Sequence, residues 1–365
     1  MFTIQPTGWR GYFSLSRTTN PPWLSTYFYL SWEDALWDVL KHFQPRPGSI
    51  ALLPDFFCTD VIKNMQSHGL DCKFYPVEPD LQTTAHAFVT LLTETQPDLV
   101  VLLHPAGITN TLFEHANTWL PALPKNCLLI EDCVHRVVNP DEIVLLTPRH
   151  IVLDSLRKVV PLQGSRLFGS AELQSLQQTA GHKTIRYQLS VTFWWFLMQL
   201  CLLTSTFPQP DRYKVWWNMM AEKYMLIGYD LVGDSYAAGK GWDIFERLAH
   251  HIDHRRIRTC KKRQVQLYKK LLASFWNNQN FYPIPFNEDD YGRLRGFPIG
   301  VRIEHAEQIL ATWRGAGILL RYELDDCVWS QKQKVVYLPL GPHVADQQII
   351  TLVTDITTQQ TPIVN

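Results

Sequence analysis

Two stretches decide the fold of this 365-residue chain: LLIEDCVH at residues 128–135 and IVLDSLRK at residues 151–158. Each begins with a short apolar run and passes directly into charged and polar residues. Such runs are typical of parallel strands that are buried between two layers of helices. Because ligands of open α/β sheets bind beyond the carboxyl ends of the strands, the charged residues predict a functional site there.

The same alternation of apolar runs and helix-compatible stretches extends over residues 48–170. Helices are predicted between the strands at residues 60–68 and 85–95. Alternating strands and helices predict an α/β domain with a central, mostly parallel sheet. The predicted strands are residues 50–53, 72–77, 99–104, 127–131, 143–146, 151–154 and 166–169.

The pattern changes twice further along the chain. Residues from about 171 to 260 are helical in character and rich in tryptophan, and from residue 281 short strand-like runs alternate with helical ones. We therefore expect a large α/β domain over residues 1–260 and a small C-terminal α+β domain over residues 261–365.

The overall charge excludes one class of function. The chain has 34 Lys and Arg against 34 Asp and Glu, a formal net charge of +0 at pH 7. Binding to nucleic acid along its phosphate backbone needs a basic face, so nucleic-acid binding by the whole chain is disfavoured. The basic segment at residues 250–270 is interpreted as the solvated face of an amphipathic helix, with an anion-binding or partner-binding face as the alternative.

Cysteine usage and hydropathy indicate a cytoplasmic protein. The seven cysteines form no CxxC pair and the N-terminus resembles no signal peptide, so a reduced compartment and no metal site are predicted. The most apolar run, residues 191–203, is shorter than the roughly 20 residues that a membrane span needs. We interpret it as a buried or interfacial helix, and contact with a membrane surface stays open as the less favoured alternative.

Asp132 and Lys158 are the chemically suggestive residues at the two strand ends. An aspartate there can hold a heterocyclic nitrogen protonated, and a lysine that is shielded from water can act as a Schiff-base nucleophile. Each residue also has a structural interpretation, Asp132 as a helix N-cap and Lys158 as a solvent-exposed lysine. The two residues together favour the chemical interpretation more than either does alone.

These residues resemble the DegT-type branch of the fold-type I pyridoxal phosphate enzymes, best known as sugar aminotransferases. The likeness rests on the E-D-x-x-H stretch at residues 131–135 and the S-x-x-K stretch at residues 155–158, which Pro161 and Gly164 follow. It is supported by LPDFFC at residues 53–58, FPI at residues 297–299 and YLPL at residues 337–340. The likeness spans roughly residues 25–355, although most of the middle helical region, about residues 171–260, matches in character only.

The resemblance implies a three-layer αβα large domain, pyridoxal 5'-phosphate as the cofactor, and a role for each matching residue. Lys158 would carry the cofactor covalently, and Asp132 would pair with its pyridinium nitrogen. His135 would support the ring oxygen or orient Asp132, and Ser155 would bind the phosphate. Phe57 is favoured as the residue that stacks on the ring, with Phe56 and Cys58 beside it.

The chain departs from this family where the phosphate is expected. The family has a turn rich in small residues before the first large-domain helix, whereas this chain has Ser31, Trp32 and Glu33. Ser31 can still bind phosphate, but a Glu33 side chain that faced inward would repel a dianion. Arg157 or Arg166 could compensate for this charge.

The expected function is transfer of an amino group from an amino acid to a keto group, on a nucleotide-linked sugar or a related small molecule. The alternatives are another reaction with the same cofactor and a non-catalytic relative that uses the fold to bind a partner. The resemblance also implies a homodimer with its active site at the subunit interface, for which the Trp- and Phe-rich residues 190–220 would supply apolar surface.

Overall fold

A seven-stranded sheet forms the centre of the large domain. The computed structural model describes residues 5–18, 20–170, 185–233, 238–277, 280–315, 318 and 320–358. The strands follow the spatial order β1-β7-β6-β5-β4-β2-β3. They are β1 (Ser25–Tyr29), β2 (Ile50–Pro54), β3 (Asp71–Tyr75), β4 (Leu99–Leu103), β5 (Leu128–Cys133), β6 (His150–Asp154) and β7 (Ser165–Gly169).

Strand direction places the functional residues at one edge of this sheet. β2 pairs in parallel with β3 and β4, and β4, β5 and β6 pair in parallel in turn. β7 pairs antiparallel with both β6 and β1, so it alone runs against the other six strands. The carboxyl ends of β2, β4, β5 and β6 therefore open at the same edge.

Helices cover the sheet, as the nearly continuous apolar strands require. All five residues of β4 and of β6 are buried, which a strand achieves only between two layers. The helices that follow the early strands are α1 (Trp32–Phe43), α2 (Thr59–Ser67), α3 (Ala85–Thr95), α4 (Thr111–Glu114), α5 (Ala116–Trp119) and α6 (Leu156–Val159). α1 packs against β6 and β7.

Two long antiparallel helices follow the sheet and pack tightly against each other: α7 (Ile185–Ser205) and α8 (Asp211–Gly233). α8 also packs against α1 and α2, beside the carboxyl edge of the sheet. We call this pair of helices the helical hairpin. Two more helices follow it, α9 (Asp243–Ala249) and α10 (His254–Leu271).

The C-terminal region contains a separate three-stranded antiparallel sheet in the order β10-β9-β8. Its helix α12 packs against α10, which connects the two parts of the chain. The elements are β8 (Phe281–Pro283), β9 (Gly296–Arg302), α11 (Ala306–Gly315), β10 (Gln333–Pro339) and α12 (Asp346–Thr358).

The predicted fold class is confirmed: a mostly parallel sheet with helices, followed by a small α+β part. The strand predicted at residues 143–146 is wrong, because this segment is an irregular loop that lies between Pro140 and Pro148 and exposes Val144. The domain boundary predicted between residues 260 and 261 falls inside α10 and stays a prediction. Residues 171–184 of the predicted helical region lie outside the described residues.

The two unusual segments that the sequence singled out are both helical. Residues 191–203 lie within α7, and most of residues 250–270 lie within α10. Among the described residues, no helix combines the length and the apolar character needed to cross a bilayer.

Candidate functional site

A cavity of about 510 Å³ opens at the carboxyl edge of the large sheet. Residues at the ends of β4 and β5 and in the segments after β2, β5 and β6 line it, α8 covers one side, and the C-terminal region closes another. Six of the seven residues predicted from the sequence line this cavity: Phe57, Cys58, Asp132, His135, Ser155 and Lys158.

Ser31 is the seventh predicted residue, and it is not among those that line the cavity. It is the buried N-cap of α1, where its hydroxyl donates to Asp34 Oδ2 at 2.8 Å and accepts from the Asp34 backbone N–H at 3.1 Å. This reciprocal pair uses the Ser31 side chain within the helix itself.

Asp132 lies near the end of β5 with its side chain buried. Its Oδ1 accepts a hydrogen bond from the Val134 backbone N–H at 2.9 Å. Burial raises the pKa of Asp132 to about 7, although the positive charge of Lys158 opposes that change. A cationic partner stabilises the ionised form of such a buried acid, because it offsets the cost of burying the carboxylate charge.

Ser155 and Lys158 come directly after β6, where the chain turns into the short helix α6. Ser155 is buried, and its Oγ has no hydrogen-bond partner among the described residues. Lys158 is half-buried. Buried hydroxyls are nearly always hydrogen-bonded, so an unpaired one that lines a cavity indicates a place for a ligand.

His135 contacts a buried ion pair that comes from the C-terminal region. Its Nε2 lies 3.2 Å from Glu323 Oε1, and Arg295 Nη1 donates to the same oxygen at 2.5 Å. Burial lowers the pKa of His135 to about 3, so the imidazole is neutral at pH 7. Burial would raise the pKa of Glu323, but Arg295 and His135 outweigh it and hold the pKa well below its usual range.

Tyr229 of α8 reaches the cavity beside a cluster of cations. The Arg157 guanidinium lies 4.2 Å from the centre of its ring, within range of a cation–π interaction. Burial raises the pKa of Tyr229, but the charges of Arg157, Lys158 and Arg295 outweigh that effect and lower it. This side of the cavity therefore has a positive potential that favours anions.

The first turn of α1 supplies the opposite charge. Glu33 lines the cavity, and its Oε1 lies 3.7 Å from Arg157 Nη2. The neighbouring Trp32 packs against Phe57 in an edge-to-face contact, with ring centres 6.4 Å apart. Both residues that depart from the family pattern thus line the cavity.

Glu131 organises the strand ends beside this cavity. Because successive residues of β5 point to opposite faces, Glu131 and Asp132 lie on different sides of the sheet. Glu131 Oε1 lies 2.9 Å from His104 Nε2 and accepts from Cys133 Sγ at 3.3 Å, and Oε2 lies 3.4 Å from His150 Nε2. Burial would raise the pKa of Glu131, but His104 and His150 outweigh it, so Glu131 is a buried anion.

This network contains residues of the types that bind metals, but their donors and acceptors are matched as hydrogen bonds. His104, Glu131 and Cys133 lie close enough to share an ion. However, His104 Nδ1 lies 3.0 Å from Arg136 Nη1 and 3.2 Å from the Asn110 backbone N, so it acts as an acceptor. The other nitrogen then carries the proton and donates to Glu131, which makes this cluster a hydrogen-bond network that ties β4, β5 and β6 together.

Comparisons with known proteins bear on the fold. No protein-family model matches the sequence, and no curated protein matches it. Many solved structures do match. Sugar aminotransferase CalS13 from Micromonospora echinospora is 14% identical with a TM-score of 0.55, and the match covers 91% of this chain and 87% of that one.

Two further structures give the same result. PseC from Helicobacter pylori, an aminotransferase involved in pseudoaminic acid biosynthesis, is 8% identical with a TM-score of 0.56. A DegT DnrJ EryC1 StrS aminotransferase from Brucella abortus is 12% identical with a TM-score of 0.54. Both matches cover 92% of this chain and 86% of the other chain. This chain has the fold of these aminotransferases.

The aminotransferase fold brings together residues that the sequence motifs did not include. Tyr229, Arg295 and Glu323 line the same cavity as Asp132 and Lys158. They lie in segments far along the chain, and no local motif surrounds them. Glu323 is one acid among several, since Asp325 and Asp326 follow it closely, so nothing in the local sequence distinguishes it.

Proposed function

We propose that this protein is a pyridoxal phosphate-dependent aminotransferase that moves an amino group from an amino acid to a keto group. One observation carries the proposal: Asp132 and Lys158 line the same cavity at the carboxyl ends of the adjacent strands β5 and β6. A buried acid and an amine placed in this way suit a cofactor with a basic ring nitrogen and an aldehyde.

The residues in the cavity fit this cofactor. Asp132 is a buried carboxyl whose raised pKa makes a protonated ring nitrogen a favourable partner. Phe57 adds an apolar ring to the lining of the same cavity, and the Ser155 hydroxyl is an unpaired donor for a phosphate oxygen. The cavity volume, about 510 Å³, lies within the range of small-molecule sites.

Each of these residues has a task in the proposed reaction. When bound, the cofactor supplies an electron sink for the electrons released as the amino acid loses its α-proton. Asp132 holds the ring nitrogen protonated, and the Lys158 amine takes up the α-proton and returns it to the neighbouring carbon. His135 is neutral, and its Nδ1 has no partner in the described part of the chain, so it can accept a hydrogen bond from the ring hydroxyl.

We also propose that the amino acceptor is a keto sugar linked to an anionic group such as a nucleotide. Two exposed arginines of the C-terminal region, Arg314 and Arg321, line the cavity together with the buried Arg295. Guanidinium groups are well suited to binding phosphate. The Micromonospora protein is a sugar aminotransferase, which supports the same substrate class. The overall reaction converts an amino acid and a keto sugar into a 2-oxo acid and an amino sugar.

Lys158→Ala tests the proposal. The wild-type protein with pyridoxal phosphate is expected to absorb at about 400–430 nm, and borohydride reduction is expected to fix the cofactor on Lys158. Lys158→Ala should lose both the band and the fixed adduct, because it lacks the amine. The measurements are an absorbance spectrum and peptide mass spectrometry, with Lys73→Ala, which removes an exposed lysine, as the control.

An adduct that persists in Lys158→Ala would contradict the assignment. Adding glutamate then separates transamination from other reactions of the same cofactor. Transamination predicts loss of the band as the cofactor takes up the amino group. A band that persists with every amino donor would favour another reaction.

One observation favours a second candidate function, a non-catalytic protein that uses the fold to bind a partner. Glu33 and Trp32 line the cavity where the family has small residues. This candidate predicts that neither absorbance nor borohydride trapping detects pyridoxal phosphate, even with the cofactor in excess.

We further propose that the protein is a homodimer that associates through the helical hairpin. Exposed apolar side chains recur along α7 every three or four residues, which is the spacing of a helix-packing face. At about half exposure each, these side chains and those of α8 amount to roughly 800 Å² of surface, close to one partner's share of a stable interface. They are Ile185, Leu189, Phe193, Phe196, Leu200 and Leu203 on α7 and Tyr213, Trp216, Met219 and Leu226 on α8.

Phe193→Glu combined with Phe196→Glu is expected to convert this dimer to a monomer, because burying two carboxylates in an apolar interface is strongly unfavourable. Light scattering coupled to size-exclusion chromatography measures the mass. Val144→Glu, which changes an exposed apolar residue outside the hairpin, should leave the dimer intact. A wild-type protein that is monomeric at micromolar concentration would contradict the proposal.

We also propose that the protein functions in the cytoplasm. All seven cysteines are free thiols, as expected in a reducing compartment.

A further inference from the structure

Several buried polar atoms of residues that line the cavity lack hydrogen-bond partners among the described residues. Among them are Ser155 Oγ, Arg157 Nε and Glu33 Oε2. Ser155 Oγ and Arg157 Nε are donors, and Glu33 Oε2 is an acceptor. Leaving buried polar groups unpaired is costly, so a set of them that lines one cavity indicates where a polar ligand binds.

Arg157 is held loosely by its neighbours. Its Nη2 lies 3.7 Å from Glu33 Oε1, which is longer than a hydrogen bond, and its guanidinium stacks over the Tyr229 ring. The Arg157 and Glu33 side chains are only 12% and 21% exposed. Arg157 is therefore a shielded cation whose strongest binding geometry, two parallel hydrogen bonds to an anion, is not used.

The start of α1 does not offer the usual anion site of a helix. The Ser31 hydroxyl donates a hydrogen bond to the Asp34 side chain and accepts one from the Asp34 backbone N–H, so both the hydroxyl and this N–H already have partners. The first turn carries Glu33 and Asp34, two acids that already interact favourably with the positive end of the helix dipole. A phosphate dianion placed at this end would be repelled by the Glu33 carboxylate.

We propose that Glu33 and Arg157 form an exchangeable ion pair in which Arg157 leaves Glu33 to bind the phosphate of the cofactor, with Ser155 as the second donor. This inference rests on the proposed function. Glu33 thereby sets how tightly the phosphate-bearing cofactor is retained. It competes with the phosphate for Arg157, and it repels the dianion once the phosphate is bound.

Glu33→Gln tests this competition with two aldehydes. Pyridoxal phosphate and pyridoxal share the ring and the aldehyde, and pyridoxal lacks the phosphate. Glu33→Gln is expected to lower the dissociation constant of pyridoxal phosphate roughly tenfold. The dissociation constant of pyridoxal should change by less than about twofold, because only the phosphate meets Glu33. Arg157→Gln is expected to raise the dissociation constant of pyridoxal phosphate roughly tenfold and to leave that of pyridoxal unchanged.

Binding is measured by absorbance titration and by borohydride trapping, neither of which depends on enzyme turnover. The quantity compared is the ratio of the two dissociation constants in each variant, so the solution chemistry of each aldehyde cancels. Asp60→Asn is the matched control. It removes one negative charge from an exposed residue of the same cavity, and it should leave the ratio unchanged.

The outcomes separate this inference from the proposed function. Equal ratios in wild type, Glu33→Gln and Arg157→Gln would overturn the ion-pair exchange and leave the aminotransferase proposal standing. A shift in Asp60→Asn as large as that in Glu33→Gln would overturn it too, since general cavity charge would then explain the effect. A wild-type protein that traps neither aldehyde would overturn both the proposed function and this inference.

Discussion

Asp132→Asn is expected to stabilise the protein without cofactor at pH 8 while it removes the proposed aminotransferase activity. In the cofactor-free protein, burial raises the pKa of Asp132 to about 7 from an ordinary 3.8. The ionised side chain therefore costs free energy that a neutral asparagine avoids. The difference between the two pKa values corresponds to at most about 4 kcal/mol.

The sign of this effect depends on pH. A group whose pKa is raised on folding contributes stability below its unfolded pKa, and that contribution is lost as the pH rises through its folded pKa. The advantage of Asp132→Asn should therefore be absent near pH 4, grow between about pH 4 and pH 7, and be complete at pH 8. Chemical denaturation over this pH range measures it.

The same substitution removes the charge that would hold the ring nitrogen of the cofactor protonated. Loss of about 4 kcal/mol of transition-state stabilisation corresponds to a roughly thousandfold lower rate. Asp154→Asn is the matched control at the end of β6, where Asp154 pairs with Arg166 at 2.7 Å. It should destabilise the protein, because it leaves Arg166 buried without its carboxylate. A less stable Asp132→Asn at pH 8, or a difference that does not vary with pH, would contradict the prediction.

Arg295→Met is expected to destabilise the protein by about 3–5 kcal/mol at pH 7, because it leaves Glu323 buried without its main cation. Arg295 is 3% exposed, and its Nη1 donates to Glu323 Oε1 at 2.5 Å. The double variant Arg295→Met with Glu323→Gln should recover most of this loss, since it removes both charges together. Urea denaturation of the two single variants and the double variant gives the coupling energy.

Acidification provides a second test of this ion pair. Because Arg295 and His135 hold the pKa of Glu323 well below its usual range, the wild-type pair contributes stability above the unfolded pKa of glutamate and loses it at lower pH. Without Arg295, that contribution should largely disappear. Arg263→Met is the control, because Arg263 pairs with Asp346 on an exposed surface, and its loss should cost less than about 1 kcal/mol. An Arg295→Met protein as stable as this control would contradict the prediction.

The sequence predicted the central strands because they are buried on both faces. All of β4 and the first half of β5 are continuous apolar runs, and such a run between helices has few other interpretations. It did not predict β1 at the edge of the sheet, because its sequence STYFY begins with two hydroxyl residues and contains no aliphatic run. It wrongly predicted a strand at residues 143–146, where the apolar residues IVLL form an irregular loop.

The site was predicted where its residues lie in local motifs. Asp132 lies near the end of β5 and Lys158 lies four residues after the end of β6, so the parallel sheet alone brings them to one edge. Arg295 and Glu323 lie in the C-terminal region, and only the packing of that region against the large sheet brings them to His135. Tyr229 is one aromatic among many in a helical segment, and nothing in its neighbours marks it as different.

The contact between His135 and Glu323 has a consequence for the order in which the chain matures. The two residues are separated by more than half of the sequence, so the cavity is complete only after nearly the whole chain has left the ribosome. The parallel sheet can form earlier from the N-terminal residues, as domains do during synthesis. Until the last segment arrives, the edge of the sheet that carries Lys158 and Asp132 lacks its cover from the C-terminal region. Any ligand that needs the complete cavity is therefore bound late in biogenesis.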